Sequence, residues 1–131
     1  MEAEKFAEIA VSALEDIKAR DITVIDVSLL TSLFDRMIIA SADSTRQTKA
    51  LANNVQVEIK AAGGTVLSIE GEQSGEWVLV DCGSVIIHIM QPAVRQYYNL
   101  EELWGARLPM PIRHGAEKGK SAAEFAASSS P

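Results

Sequence analysis

The sequence predicts a single α/β domain: a mixed sheet of about five strands with helices mainly on one face. Helical and strand-like apolar patterns alternate in the order α-β-β-α-β-β-β-α. The chain has 131 residues, of which 47% are hydrophobic, and this is enough for one core but not for two. The segment from Trp77 to Met90 is rich in β-branched and apolar residues around a Gly-containing turn, which is typical of a β-hairpin.

Two amphipathic helices are predicted in the first half of the chain. One apolar stripe at helical spacing defines the first helix: Phe6, Ile9, Ala10, Ala13, Leu14 and Ile17. Ser44 and Gln47 match a capping box, in which the Ser44 hydroxyl accepts from the Gln47 amide and the Gln47 side chain reaches back. The helix that follows is expected to bury Leu51, Val55, Ile59 and Ala62 and to end at Gly63–Gly64 in left-handed geometry.

The remaining elements are strands and one short helix. We expect strands at Ile22–Val27 and Arg36–Ala40, separated by a turn-rich segment, and a third strand at Thr65–Glu70 before the hairpin. Pro92 can occupy the first turn of a short helix that reaches Tyr98, because a proline there removes no helical hydrogen bond.

The hairpin has two chemically different faces if its loop contains two or four residues. One face is then uninterrupted core: Val78, Val80, Cys82, Val85, Ile87 and Ile89. The other carries Trp77, Leu79, Asp81, Ile86, His88 and Met90. A tryptophan, a carboxylate and an imidazole on an otherwise apolar face need partners or water, so we expect function on this second face.

The charge distribution restricts the class of partner. Residues 1–105 carry 8 Lys/Arg and 16 Asp/Glu, whereas residues 106–131 carry 4 and 2. The acidic body argues against direct binding to RNA or DNA, since nucleic-acid-binding surfaces are rich in Lys and Arg. A basic protein partner is more compatible.

The location and domain boundary follow from what the sequence lacks. No apolar run reaches the roughly 20 residues of a membrane helix, and no presequence is visible, so we expect a cytoplasmic protein. The single cysteine, Cys82, is interpreted as a buried thiol in a reducing compartment. We predict a domain at residues 1–105 and a flexible tail at residues 106–131. Within the tail, Leu108, Met110 and Ile112 alternate with prolines and could lie on the body as an extended strip.

The sequence does not favour an enzyme. His88 and Asp81 could form an acid–base pair, but that face has no Ser or Cys nucleophile. His114 is the second of two histidines, so a zinc site is not expected, and the glycines lack phosphate-loop spacing. No cofactor is predicted.

Several motifs in order identify a family resemblance. They are Asp21-Ile22 with Asp26 and Ser28, Asp35 before a strand ending at Ser41, Ser44-x-Arg46-Gln47, Glu70-Gly71, Trp77–Asp81, His88 and the segment Arg95–Trp104. Over residues 5 to 105 the chain resembles the Iojap family of ribosomal silencing factors. The resemblance implies a nucleotidyltransferase-like topology without the catalytic carboxylates.

The resemblance also implies a function. Such a protein binds the large ribosomal subunit through the basic ribosomal protein L-fourteen, blocks joining of the small subunit and represses translation. The residues expected at the contact are Trp77, Asp81, His88, Arg95, Tyr98, Leu100 and Trp104. Two other hypotheses are a nucleotidyltransferase-like enzyme and a homodimeric interaction module.

Structural roles compete with these interface roles. Trp77 and Trp104 are more often core aromatics than interface anchors, and His88 can be interpreted as a histidine bonded to Asp81 or Tyr98. Asp81 could bond its own turn, and Arg95 could pair with Glu101 or Glu102. The aspartates Asp21, Asp26 and Asp35 could cap backbone amides. Tyr97 and Tyr98 are adjacent on a helix, so one should pack and the other should be exposed.

Overall fold

The computed structural model describes residues 2–100 as an α/β domain with the predicted element order. Its elements are α1 (Glu2–Asp16), β1 (Arg20–Asp26), β2 (Arg36–Ser41), α2 (Thr45–Ala61), β3 (Ser68–Glu70), β4 (Trp77–Asp81), β5 (Val85–Met90) and α3 (Pro92–Tyr98). The predicted domain boundary at residue 105, the tail and Trp104 lie outside the described residues. No described helix is long and apolar enough to cross a membrane.

The five strands form one mixed sheet in the order β1-β2-β5-β4-β3. β2 and β5 are parallel, and the other three neighbouring pairs are antiparallel. α1 and α2 pack on one face, which we call the helical face, and the residues of α3 pack on the opposite face, which we call the second face. The predicted fold class is therefore confirmed, because two of the three described helices share a face.

The β4–β5 hairpin has the predicted parity. Trp77 lies opposite Met90 and Leu79 opposite His88, so odd positions of β4 face even positions of β5. The Cys82 amide donates to the Val85 carbonyl at 2.9 Å, which closes a two-residue turn with Gly83 at a φ of +83°. As a result, β5 sends its side chains alternately into two separate cores.

α1 packs through a stripe in which four of the five buried residues are alanines, and this stripe shares Ala10, Ala13 and Leu14 with the prediction. Its fully covered residues are Ala3, Ala7, Ala10, Ala13 and Leu14. Phe6, Ile9 and Ile17, which the prediction included in the stripe, are only half-buried. Small side chains let α1 approach α2 and the sheet closely, so the larger residues lie on the flanks of the contact.

α2 begins and ends as expected, with one difference at its N-terminus. The Ser44 hydroxyl accepts from the Gln47 amide at 3.1 Å, but the Gln47 side-chain oxygen accepts from the amide of Asp43 at 2.8 Å, one residue before the predicted position. The Gln47 amide nitrogen also donates to the carbonyls of Ile17 and Lys18, at 3.1 Å each. One side chain thus ties the start of α2 to the end of α1.

Three strands have bounds that differ from the prediction, since β1 also ends one residue earlier, at Asp26, and β2 ends one residue later, at Ser41. β1 starts earlier, at Arg20, and its register with β2 shifts between Arg20 and Thr23, where Asp21 has a φ of +51°. β3 is shorter than predicted and covers only Ser68–Glu70. Gly63 and Gly64 donate to the carbonyls of Lys60 and Ile59, at 3.0 and 2.9 Å, and only Gly63 has a positive φ.

Gly71 provides a test of the loop that leads into β4. Its φ is +87°, and a Cβ added there would overlap the carbonyl oxygen of Trp77. Gly63 has a similar φ of +89° but open space around it. We expect Gly71→Ala to lower the free energy of unfolding by about 2 kcal/mol or more and Gly63→Ala by roughly 1 kcal/mol, measured by urea denaturation. Equal losses would show that the close approach to Trp77 does not constrain this loop.

Candidate interaction face

The second face of the sheet is covered by its own hydrophobic cluster. The cluster combines β-strand residues with residues from the segment 27–34 and from α3. Its buried members are Ile25, Val27, Phe34, Met37, Ile39, Trp77, Leu79, Ile86, Met90 and Leu100, and we call it the second core. The face on which we predicted function is therefore not bare in the folded chain.

A buried hydrogen bond joins the two polar aromatic residues of this face. The Trp77 Nε1–H group donates to His88 Nδ1 at 2.9 Å, between the neighbouring strands β4 and β5. His88 is fully buried and Trp77 is 9% exposed. The prediction that His88 bonds to Asp81 or Tyr98 was wrong, because the indole of Trp77 reaches the ring from two positions along the neighbouring strand.

The bond to Trp77 fixes the protonation state of His88. Because Nδ1 accepts the hydrogen bond from Trp77, the neutral ring carries its proton on Nε2. Nε2 is buried and has no hydrogen-bond partner in the described part of the chain. Burial lowers the pKa of His88 from 6.5 to about 3, so the ring is neutral at physiological pH.

α3 covers Trp77 with an aromatic side chain. The rings of Trp77 and Tyr98 lie 4.9 Å apart between centroids, at an interplanar angle of 45°. Tyr97 meets Tyr98 edge to face, also with 4.9 Å between centroids, and is 80% exposed. The expectation that one tyrosine packs and the other is exposed is confirmed, and Tyr97 is the exposed one.

Arg95 connects α3 to strands β1 and β2. Its guanidinium donates to the hydroxyl of Ser41 at 2.8 Å and to that of Thr23 at 3.1 Å. These residues belong to β2 and β1, so one side chain connects α3 to two strands. The predicted pairing with Glu101 or Glu102 falls on residues outside the described part of the chain.

The aspartates near the strand ends have mainly local roles. Asp81 accepts from the amide of Gly83 at 2.9 Å, which confirms that it bonds its own turn. Asp26 accepts from the amide and the hydroxyl of Ser28 and pairs with Arg36 at 3.2 Å. The hydrogen bonds from Ser28 and the charge of Arg36 lower the pKa of Asp26. Asp35 bonds through its main chain, where its amide donates to Ser84 at 2.8 Å.

The exposed part of the second face lies on the elements that cover the second core. Leu29 is 93% exposed and Leu33 is 43% exposed, both in the segment between β1 and β2, and Tyr97 lies on α3. We call these three residues the apolar rim. Sequence reasoning missed the two leucines because it treated the segment 28–34 only as a connection. Their presence in a turn-rich segment was the available signal.

The seven predicted contact residues therefore occupy three kinds of position. Trp77, His88 and Leu100 are buried in the second core. Asp81, Arg95 and Tyr98 are half-buried, and Trp104 is outside the described residues. The structure brings Trp77, His88 and Tyr98 together, whereas Asp81 lies at the opposite end of β4.

Catalytic or metal-binding groups are sparse in residues 2–100. No group of three or more His, Cys, Asp or Glu side chains in that range could hold a metal ion. Burial and the nearby Asp81 raise the pKa of the Cys82 thiol to about 11, so it stays protonated.

Comparisons with known proteins agree with the sequence motifs. A family described as ribosomal silencing factor during starvation matches residues 1–130. A ribosomal silencing factor from Chromobacterium violaceum is 57% identical over 109 residues, which cover 83% of this chain and 89% of that protein. The chloroplastic protein Iojap of maize is 32% identical over 107 residues, 82% of this chain and 46% of that protein. A crystal structure of a C. violaceum protein superimposes with a TM-score of 0.78 at 52% identity, covering 87% of this chain and 98% of that one.

The pKa of His88 makes stability depend on pH in a defined direction. Between pH 6.5 and about 3 the unfolded chain binds a proton at this position and the folded chain does not. Stability should therefore fall as pH decreases from 6.5, by about 1.4 kcal/mol per pH unit. Urea denaturation between pH 7 and pH 5 measures this slope, in a window above most carboxyl titrations.

The matched variant is His88→Leu, which keeps His114 and every carboxylate. We expect this variant to show a flatter pH dependence than the original chain, whatever its absolute stability. Identical slopes for the two proteins would mean that the buried imidazole does not control this dependence.

Proposed function

Because the chain belongs to the family of ribosomal silencing factors, we propose that it binds the large ribosomal subunit through the basic ribosomal protein L-fourteen. Bound there, it prevents the small subunit from joining and so represses translation. This function places the protein in the cytoplasm, where ribosomes assemble. The family match over residues 1–130 is the observation that carries the proposal.

Charge supports a basic protein as the direct contact. Residues 1–105 contain twice as many acidic as basic side chains, 16 against 8. A surface of this sign attracts a basic protein and repels the phosphates of ribosomal RNA. The interface we propose therefore makes little direct contact with RNA.

The apolar rim and the half-buried residues beside it supply the proposed contact surface. Leu29 and Tyr97 are the most exposed large apolar side chains of the described chain, and both lie on elements that cover the second core. Exposed aromatic and aliphatic residues on a rigid support are typical of interface anchors. In this proposal Arg95 and Tyr98 contact the partner beside the rim. Asp81 belongs to its periphery, Trp77, His88 and Leu100 support the surface from below, and Trp104 is proposed as a further contact.

The proposed activity requires no chemistry from the protein. A steric block needs only a bound domain at the subunit interface, and the half-buried and buried polar residues of the second face are engaged in structural hydrogen bonds. A homodimer that uses the apolar rim is the second candidate, because exposed apolar side chains also suit self-association.

Substitution of the apolar rim tests the proposed surface. Leu29→Asp combined with Tyr97→Ala should weaken binding to purified large subunits by about 2 kcal/mol, roughly 30-fold in Kd. The matched control is Val57→Asp, since Val57 is 49% exposed but lies on α2, across the sheet. Cosedimentation with separated subunits gives the affinity.

Three outcomes contradict the proposal. An equal loss of affinity in the Val57→Asp control would show that the apolar rim is not the contact surface. Sedimentation with the small subunit only, or with neither subunit, would remove the function. Sedimentation equilibrium without ribosomes decides the dimer separately, because a dimer built on the rim should dissociate in the double variant.

The acidic body should act mainly on the association rate. Binding to a basic partner should slow as salt concentration rises, because salt screens the long-range attraction between the two proteins. Glu101→Lys combined with Glu102→Lys should flatten that dependence. Stopped-flow or surface-binding kinetics against ribosomal protein L-fourteen measure it, and an association rate independent of salt would mean that the acidity serves solubility alone.

A further inference from the structure

A groove on the helical face runs beside the edge strand β1. α1 packs on β2 and β5 but covers β1 less completely, which leaves a space of about 290 Å³. Val11 and Val24 form part of its apolar floor, and Val24 is 47% exposed. A space of this size lies at the lower limit of small-molecule pockets and suits a few side chains of a peptide.

The rim of this groove is acidic. Glu4, Glu8 and Glu15 line it from α1. None of these three carboxylates has an ion-pair or hydrogen-bond partner in the part of the chain from residue 2 to 100. Arg36 also lines the groove, but Asp26 already neutralises it at 3.2 Å. The groove therefore combines uncompensated negative charge with an exposed apolar floor.

One segment of this chain has the complementary chemistry. Residues 106–113 carry Arg107 and Arg113 near their ends and three large apolar residues between them: Leu108, Met110 and Ile112. Pro109 and Pro111 alternate with these apolar residues and favour an extended backbone. The restricted backbone of such a segment lowers the entropy that binding must overcome.

The segment 106–113 is joined to the last described residue, Leu100, by a short linker. Leu100 is buried in the second core together with Ile25 of β1. Val24, the next residue along that strand, lines the groove on the other face. The linker of five residues, 101 to 105, spans at most about 17 Å when extended. We propose that the α1–β1 groove binds residues 106–113 of the same chain, with arginines on the glutamate rim and apolar side chains on the valine floor.

Tethering favours this occupant over a separate basic peptide. A short linker gives the segment an effective concentration in the millimolar range at the groove. Weak individual contacts then suffice for a populated docked state. The competing occupants, a second copy of the chain and a ribosomal segment, are separate outcomes of the experiment.

Valine methyl NMR on the full chain tests the proposal. The variant carries Leu108→Ser, Met110→Ser and Ile112→Ser, so its length and charge are unchanged. We expect the methyl resonances of Val11 and Val24 to shift relative to the original chain, while those of Val57 stay in place. Unmoved resonances at Val24, or an equal shift at Val57, would overturn the docking.

A charge-reversal series identifies the contact. Arg107→Glu with Arg113→Glu should move the same methyl resonances, and adding Glu4→Lys with Glu8→Lys should move them back. In the control, Glu58→Lys takes the place of Glu4→Lys and Glu8→Lys. Glu58 is exposed on α2, so its substitution should not move the methyl resonances back. Equal restoration by the control would overturn the specific pairing.

Protein concentration distinguishes the source of the segment. If the segment belongs to the same chain, the Val24 resonances are identical at low and high protein concentration without ribosomes. A shift that grows with concentration would assign the segment to a second copy. A shift that appears only on addition of large subunits would assign the groove to a ribosomal partner, and either result overturns the same-chain proposal.

Discussion

The burial of β5 on both of its faces is the constraint on which this fold depends. All six of its residues are buried, and strands β2 and β4 pair with its two edges. Alternate side chains therefore enter two different cores, and a register error of one residue would exchange them. The parallel pairing with β2 also requires a long crossover, which α2, β3 and β4 provide.

His88 shows the cost of this central position. An imidazole in a fully buried strand loses its hydration, and the indole of Trp77 restores one hydrogen bond while Nε2 stays without a partner among residues 2–100. An unsatisfied buried donor costs roughly 1–3 kcal/mol, which the surrounding apolar packing must offset. The pair specifies how β4 and β5 align, since no aliphatic side chain at position 88 could accept a hydrogen bond from the Trp77 indole.

The two cores differ in what covers them, and this difference separates the proposed surfaces. Two helices with close alanine contacts cover the helical face, and the groove lies where α1 leaves β1 partly uncovered. A seven-residue helix and the segment 27–34 cover the second core, so apolar side chains such as Leu29 stay at the surface. In the proposed interface, the buried aromatic residues form a rigid base for the exposed side chains, which would limit the entropy lost on binding.

The sequence by itself determined the element order, the parity of the hairpin and the caps of α2. These features depend on local periodicity and on residues close together in the chain. It also identified the second face as the one with polar aromatic residues. Tertiary structure alone decided that Trp77 is the partner of His88, that Arg95 reaches Ser41 and Thr23, and that alanines centre the α1 contact. Each of these contacts joins residues that are far apart in the chain, and their separation in space depends on how strands and helices pack. The burial of Trp77 has the same origin. It is covered by α3, which follows the hairpin in the chain, and no pattern within β4 encodes that contact.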